Sequence, residues 1–248
     1  KYYMKYVPKF SHIFCQDNFT YTFLNINNVS QYSIIKDTRI NQVLIDVKKK
    51  LENKLIQSFV ENEKKTIIYG SVEKNDYKII ADFIVSRNNL NHIIIPHEIT
   101  NIQDLKKILP STCIMYSDNG NNQNTDCNIL IVDVFGILKH IYQYSDIAYI
   151  GGGFTQGVHN TLEPAAHGNY MLFGPKHMHF AETYFFIKNQ VANVIKSKQD
   201  FEDKMHNYLT QGPSKESILN TTETFLHKNK QDLNVIIQHI KKHLINIK

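Results

Sequence analysis

Short apolar segments alternate with longer helical patterns through most of this sequence, and that alternation constrains the fold more than any other feature. The predicted strands are almost unbroken by polar residues and cover residues 66–69, 92–95, 113–116, 128–132, 147–150, 170–173 and 191–195. Helical patterns separate most of them, over residues 76–85 and 135–144, in a turn after 160, and over 181–188. Such strands with helices between them indicate a parallel sheet covered on both faces. We therefore predict a doubly wound α/β fold, in which ligands bind at the carboxyl ends of the strands.

Composition and charge exclude several classes of protein. The 248 residues are 42% hydrophobic and 21% charged, which excludes wholesale disorder and allows one large domain or two modest ones. Lysine and arginine number 28 against 23 acidic residues, a formal charge of +5. This excess is small, the lysines are dispersed, and no aromatic-basic motif appears, so we predict no nucleic-acid partner.

Cysteine spacing and apolar run lengths bear on the cellular compartment. Cys15, Cys113 and Cys127 show neither C-x-x-C nor metal-ligand spacing, which indicates reduced thiols. No apolar run approaches the ~18–20 residues that cross a bilayer. We expect this chain to be soluble as it stands.

Two amphipathic helices are predicted outside the regular alternation. The first covers residues 43–60, between the short apolar runs 12–15 and 32–35 and the sheet. The second covers residues 231–248, and its apolar stripe and basic flank consist of Leu233, Ile236, Ile237, Ile240 and Leu244 with Lys241, Lys242 and His243. Two interpretations of this tail stay open, a closing helix packed on the body or a basic helix that contacts anionic lipid.

The loop after the strand at 147–150 is the most informative stretch for function. It begins with Gly151, Gly152 and Gly153, whose missing Cβ atoms allow backbone N–H groups to approach a ligand closely. A helix predicted to begin near Asn160 would offer free N–H groups to a phosphate. Asn160 and Glu163 also have the spacing of a capping box, which would explain both residues structurally. Capping does not explain the three glycines.

Four further loops follow predicted strands at the same edge. They contain Gly70-Ser71, Pro96-His97-Glu98, Phe135-Gly136-Ile137 and Phe173-Gly174-Pro175. The loop with Gly136 has backbone groups suited to hold a flat base by its edge, or it is simply a tight strand-to-helix turn. His97 is a candidate phosphate donor, although an isolated histidine is more often an ordinary surface residue.

Taken together, these loops resemble the 3-deoxy-D-manno-octulosonic acid (Kdo) transferases of lipopolysaccharide assembly, which are GT-B glycosyltransferases. The matching segments follow the family's order from about residue 14 to 182 and lie at 37–39, 70–71, 96–98, 133–136, 146–153, 159–163 and 173–175. His-Asn-x-x-Glu at 159–163, in the same loop as Ile-Gly-Gly-Gly at 150–153, is the most specific element. Pro-His-Glu at 96–98 is similar to Bacteroidetes-type members.

The resemblance implies the C-terminal, Rossmann-like domain of a GT-B enzyme plus a remnant of its N-terminal domain. The domains it implies are a trailing segment of an acceptor domain at 1–40, an interdomain helix or linker at 41–65, a nucleotide-sugar-binding domain at 66–225 and a closing helix at 226–248.

The resemblance also implies a donor, an acceptor and a set of binding residues. The donor is CMP-Kdo, the acceptor is a lipid A precursor, and transfer uses neither a metal nor another cofactor. Pro96 and His97 border the phosphate, residues 135–137 hold the cytidine, and residues 160–163 cover phosphate and ribose, with Glu163 accepting from the ribose hydroxyls. The full set of implied binding residues is Ser71, Pro96, His97, Phe135, Gly136, Ile137, Gly152, Gly153, His159, Asn160, Thr161, Leu162 and Glu163.

Departures from the family pattern limit what the chain is expected to do. Ile137 stands where many relatives have Glu, and residues 96–97 lack the usual Arg, which weakens neutralisation of the phosphate. No position of this chain matches the family's catalytic glutamate, so we expect this chain to bind the donor without transferring Kdo. The resemblance also implies that the full-length protein lies at the cytoplasmic face of the inner membrane. The alternatives are another GT-B glycosyltransferase, a UDP-sugar epimerase, or a non-catalytic nucleotide-binding or lipid-surface remnant.

Overall fold

A computed structural model describes residues 5–49, 51–118 and 127–245 of the chain. It divides into two compact units. The smaller unit comprises the residues up to 42 together with those from 226 onward, and the larger unit comprises residues 43–225.

The smaller unit contains a β-α-β segment. Strands β1 (Ile13–Cys15) and β2 (Tyr32–Ile34) are parallel, and helix α1 (Asn18–Ile26) connects them. Asp17 caps α1, because its carboxylate accepts a hydrogen bond from the Thr20 N–H at 2.6 Å. Buried Cys15, Leu24 and Val29 form the core of this segment. The two apolar runs predicted at 12–15 and 32–35 are therefore strands.

The larger unit is a seven-stranded parallel sheet with helices between its strands. Its strands are β3 (Thr66–Val72), β4 (Asn91–Pro96), β5 (Ile114–Met115), β6 (Ile129–Ile131), β7 (Ile147–Ile150), β8 (Tyr170–Phe173) and β9 (Ala192–Val194). The helices that follow α1 are α2 (Thr38–Lys48), α3 (Lys54–Val60), α4 (Lys74–Ser86), α5 (Ile102–Ile108), α6 (Leu138–Ile141), α7 (Leu162–Ala166), α8 (Ala181–Lys188), α9 (Lys198–Gln211), α10 (Lys215–Asn229) and α11 (Leu233–Ile245). Of these, α11 belongs to the smaller unit. The predicted fold class is confirmed.

Strand order places a reversal at the centre of the sheet. The order is β5-β6-β4-β3-β7-β8-β9, and every neighbouring pair is parallel. The chain proceeds from β3 to one side of the sheet and later continues from β7 to the other side. A doubly wound sheet has its ligand crevice beside such a reversal, at the carboxyl ends of the strands. Here that position is the space above β3 and β7.

The central strands form the core of the larger unit. Ile67, Ile68 and Tyr69 of β3 and Tyr149 of β7 are all 0% exposed. Strands buried on both faces need apolar side chains at successive positions, which is why these segments lack a polar alternation.

Two predicted helices have different bounds in the structure. The helix predicted over 43–60 is two helices, α2 and α3, since Asn53 caps α3 by accepting from the Ile56 N–H at 3.1 Å. The helix predicted over 135–144 begins only at Leu138 and continues as a 3₁₀ turn at Tyr142–Tyr144. Gly136 has a φ of +86°, which no right-handed helix accommodates.

The tail helix α11 does not bury the whole predicted stripe. Leu233, Ile237 and Ile240 are 40–47% exposed. The ring of His239 instead packs 3.9 Å from the His12 ring and 5.4 Å from the Phe14 ring, within the smaller unit. His243 and Leu244, which the sequence assigned to the basic flank and the apolar stripe, lie outside the described side chains. Contact of this helix with lipid stays a prediction.

Within residues 5–49, 51–118 and 127–245, no helix is both long enough and apolar enough to cross a membrane.

Candidate functional site

A cleft of about 550 Å³ lies at the carboxyl ends of the central strands of the larger unit. It is lined by residues from the loops after β3, β4 and β7, including Glu73, His97 and His159. These loops flank the reversal of strand order, where a doubly wound sheet binds its ligands. The cleft is therefore the candidate functional site.

The three consecutive glycines hold the loops of this edge together. A Cβ on Gly151 would lie 2.2 Å from the Ser71 carbonyl oxygen, and a Cβ on Gly153 would lie 2.5 Å from the Gly174 nitrogen. Gly152 has a φ of +84°, and a Cβ there would lie 2.4 Å from the Gly157 oxygen. All three glycines are buried. The missing Cβ atoms of these glycines thus allow one loop to approach another closely. Contact of Gly153 with a ligand stays a prediction.

Buried Asp76 connects the glycine-rich loop to the first turn of α4. Its carboxylate accepts hydrogen bonds from the Glu73 N–H at 2.8 Å, the Gly152 N–H at 3.1 Å and the Tyr149 hydroxyl at 2.8 Å. Burial raises the pKa of Asp76, while these three hydrogen bonds act in the opposite direction. The Gly152 N–H therefore donates to Asp76 within the protein, and for this reason it is not free to donate to a ligand as the sequence predicted.

Glu73 organises the two histidines of the cleft. Its Oε1 lies 3.2 Å from His159 Nε2, and its other carboxylate oxygen accepts from the Thr155 hydroxyl. The His97 ring stacks on the His159 ring at a centroid distance of 4.4 Å and an angle of 23°. Burial lowers the pKa of His159, with a further lowering from His97, while Glu73 raises it. The carboxylate thus orients one imidazole, and that imidazole supports the other.

Asn160 and Glu163 do not form the predicted capping box. The N-cap of α7 is Thr161, and Asn160 Oδ1 accepts from the Leu162 N–H at 3.0 Å, two residues on. The helix has five residues, so its dipole is short. Burial raises the pKa of Glu163, and the Asn160 side chain and the Lys139 charge lower it. Glu163 is a half-buried carboxylate beside a hydrogen-bonding amide.

The loop after β6 presents an exposed ring. Phe135 is 75% exposed, so its ring faces solvent. Nothing lies within 4 Å of the position that a Cβ on Gly136 would take, and Ile137 follows directly before α6. Asp133, at the start of this loop, is held by the Ser117 N–H at 2.9 Å.

The structure brings some of the predicted binding residues together and separates others. His97 and His159 line the cleft, whereas residues 135–137 and 160–163 are not among its lining. Three predicted residues serve mainly the fold: buried Pro96 ends β4, buried Leu162 begins α7, and buried Thr161 donates to Glu182 at 3.4 Å. Ser71 has a left-handed backbone, with a φ of +52°, at the end of β3.

Sequence reasoning missed Glu73, Asp76 and Thr155. Glu73 and Asp76 stand three apart at a helix start, and the structure shows the reciprocal capping hydrogen bonds of that spacing. That pattern predicts the cap but not the hydrogen bonds to Gly152 and His159, which come from a distant part of the chain.

Sequence comparisons identify relatives among glycosyltransferases. No family model matches the chain. A bifunctional glycosyltransferase/methyltransferase from Fusobacterium nucleatum subsp. nucleatum is 32% identical over 130 residues, which are 50% of this chain and 20% of that protein. A 3-deoxy-D-manno-octulosonic acid transferase from Rickettsia bellii is 31% identical over 196 residues, 72% of this chain and 45% of that protein. The chain thus spans less than half the length of these curated relatives.

A solved structure shares the fold of this chain. The C-terminal CMP-Kdo binding domain of WaaA from Acinetobacter baumannii superposes with a TM-score of 0.61 at 19% identity. The match covers 74% of this chain and 98% of that domain. At this identity the likeness establishes the fold, a GT-B-type α/β domain.

Proposed function

We propose, from the confirmed resemblance of this chain to the Kdo transferases, that its larger unit is the donor-binding part of a glycosyltransferase, and that the donor is CMP-Kdo. The observation that carries the proposal is the cleft at the strand reversal, in a fold shared with a CMP-Kdo binding domain. In the complete protein the acceptor would be a lipid A precursor presented at the inner-membrane surface.

The donor contacts are proposed from residue chemistry. Residues 135–137 contact cytosine, with the exposed Phe135 ring against its face and backbone groups at its edge. The half-buried Glu163 carboxylate accepts from the ribose hydroxyls, beside Asn160. His97 and His159 face the phosphate from the cleft. The leaving group is then CMP, whose phosphate carries the negative charge that develops as the bond to Kdo breaks.

In the proposed function this chain binds the donor, and it does not supply the general base that removes a proton from the acceptor. None of the proposed donor contacts is assigned as the general base, so we expect this chain to bind the donor without transferring Kdo. Incubation of the purified chain with CMP-Kdo and a lipid A precursor should give no product above the protein-free control. Measurable transfer would contradict this assignment.

Calorimetric titration of the nucleotides tests the donor assignment. CMP should bind more tightly than UMP or UDP, because the base-contacting loop distinguishes the edge of cytosine from that of uracil. Glu163→Ala should weaken CMP at least ~10-fold, the magnitude of a lost hydrogen bond to a charged group. Glu223→Ala, at an exposed position of α10, is the matched control and should leave binding unchanged. Tighter binding of UDP would instead favour a UDP-sugar enzyme.

A further inference from the structure

We propose that Glu73, His97 and His159 form a binding site for a divalent transition metal, for which Zn²⁺ is the test ion. Each of the three side chains offers one ligand atom, and these atoms lie within 4.8 Å of one another. The site shares His97 and His159 with the proposed phosphate contacts. It goes beyond the proposed function, which requires neither Glu73 nor an ion.

The donor set has the chemistry that Zn²⁺ prefers. Two imidazoles and one carboxylate, with a fourth position left to solvent, are the ligands of many protein zinc sites. Zn–N and Zn–O bonds of about 2.0–2.1 Å place tetrahedral donors about 3.3 Å apart. Glu73 Oε1 and His159 Nε2 are 3.2 Å apart, so one edge of such a tetrahedron is already present. His97 completes it by a side-chain rotation, for which its exposed position leaves room.

The surroundings hold the first two ligands in place. Glu73 accepts from the Thr155 hydroxyl, and the first turn of α4 is held by Asp76. A ligating carboxylate fixed by a further hydrogen bond is typical of metal sites. The His159 ring is held between Glu73 and His97.

The charge of the cleft also favours a cation. Glu98 adds a second carboxylate to the lining. Among the described residues that line this cleft, the cationic side chain is Lys74, and its Nζ pairs with Asp104 at 2.7 Å. The cleft therefore presents acceptors whose charge an ion would neutralise.

The test is a titration of the untagged 248-residue chain with ZnCl₂ by calorimetry, and with Co²⁺ by its visible absorption. We expect one equivalent with a dissociation constant on the order of micromolar. Glu73→Gln, which keeps the side-chain shape and can still accept from Thr155, should weaken binding at least ~10-fold. His97→Ala, at an exposed position, should do the same. His206→Ala, at an exposed position of α9, is the matched control and should bind like the unaltered chain.

Two results would overturn the proposal. One is the absence of micromolar Zn²⁺ binding by a chain that is folded by circular dichroism. The other is binding that Glu73→Gln and His97→Ala leave unchanged, which would place the ion elsewhere. Since no nucleotide enters this titration, its outcome is independent of whether CMP binds.

Discussion

The most informative substitution targets Asp76, the buried carboxylate that joins the first turn of α4 to the glycine-rich loop. Asp76→Ala removes the acceptor of the Glu73 N–H, the Gly152 N–H and the Tyr149 hydroxyl. Tyr149 and Asp76 are 0% exposed, and Gly152 is buried, so water does not replace the lost acceptor at these groups. An orphaned buried donor costs about 1–3 kcal/mol. With two or three such donors, and some relief from removing a buried charge, we expect a loss of about 3–5 kcal/mol.

Asp76→Asn should cost much less. Its amide oxygen at the Oδ2 position accepts from both N–H groups, and its NH₂ donates to the Tyr149 hydroxyl oxygen, which can accept. The loss then combines the difference between charged and neutral hydrogen bonds with the cost of a Tyr149 hydroxyl hydrogen that has lost its acceptor, about 2 kcal/mol in all. This contrast separates the geometry of the carboxylate from its charge.

The assay is equilibrium urea unfolding at pH 7, followed by circular dichroism, with CMP titration of each folded variant. Asp200→Ala is the matched control, because Asp200 stands at the same helix position in α9 and accepts from the Lys196 N–H at a more exposed site. It should cost about 1 kcal/mol. A loss for Asp76→Ala no larger than that of this control would contradict the role given to the Asp76 carboxylate. Equal losses for Asp76→Asn and Asp76→Ala would contradict it as well.

Two further predictions concern the glycines and a buried histidine. Gly152→Ala should lower stability by at least ~1 kcal/mol more than Gly136→Ala in thermal or urea unfolding, because both have a φ near +85° but only Gly152 lacks room for a Cβ; equal losses would contradict the packing argument. His92 is buried, with Nδ1 accepting from the Tyr69 hydroxyl and Nε2 donating to the Arg87 carbonyl, and burial lowers its pKa from 6.5 to about 4. The stability that depends on neutral His92 is complete above pH 6.5 and is lost as the pH falls towards 4, by up to about 3 kcal/mol. Urea unfolding at pH 7.5 and pH 5 should show this loss, and His92→Gln should make it smaller; an unchanged pH dependence in that variant would count against His92 as its source.

The order of elements could be predicted because it depends on local composition. The strands around Ile67, Ile93 and Ile147 are short apolar runs between polar turns, a pattern that survives in any tertiary context. The bounds of helices were less predictable. Apolar spacing continues across residues 49–53, where the Asn53 cap starts a new helix and its N–H donates to the Tyr144 hydroxyl at 2.8 Å.

In the candidate site, too, local motifs could be predicted and long-range contacts could not. The motif residues His97 and His159 were predicted from their loops, and they do line one cleft. The two rings stack on each other, and Glu73 lies within hydrogen-bond distance of His159. Both contacts join residues more than 60 positions apart in the sequence, and no local pattern encodes them.

By itself the sequence determined a parallel α/β sheet, the edge at which its loops meet, and the resemblance to Kdo transferases, because each of these depends on residue types in local order. Only the tertiary structure decided that Gly151–Gly153 pack loop against loop, and that Asp76 and Glu73 organise the cleft. The physical reason is that a buried N–H or carboxylate must find its partner in space, and the sheet places that partner on a different strand.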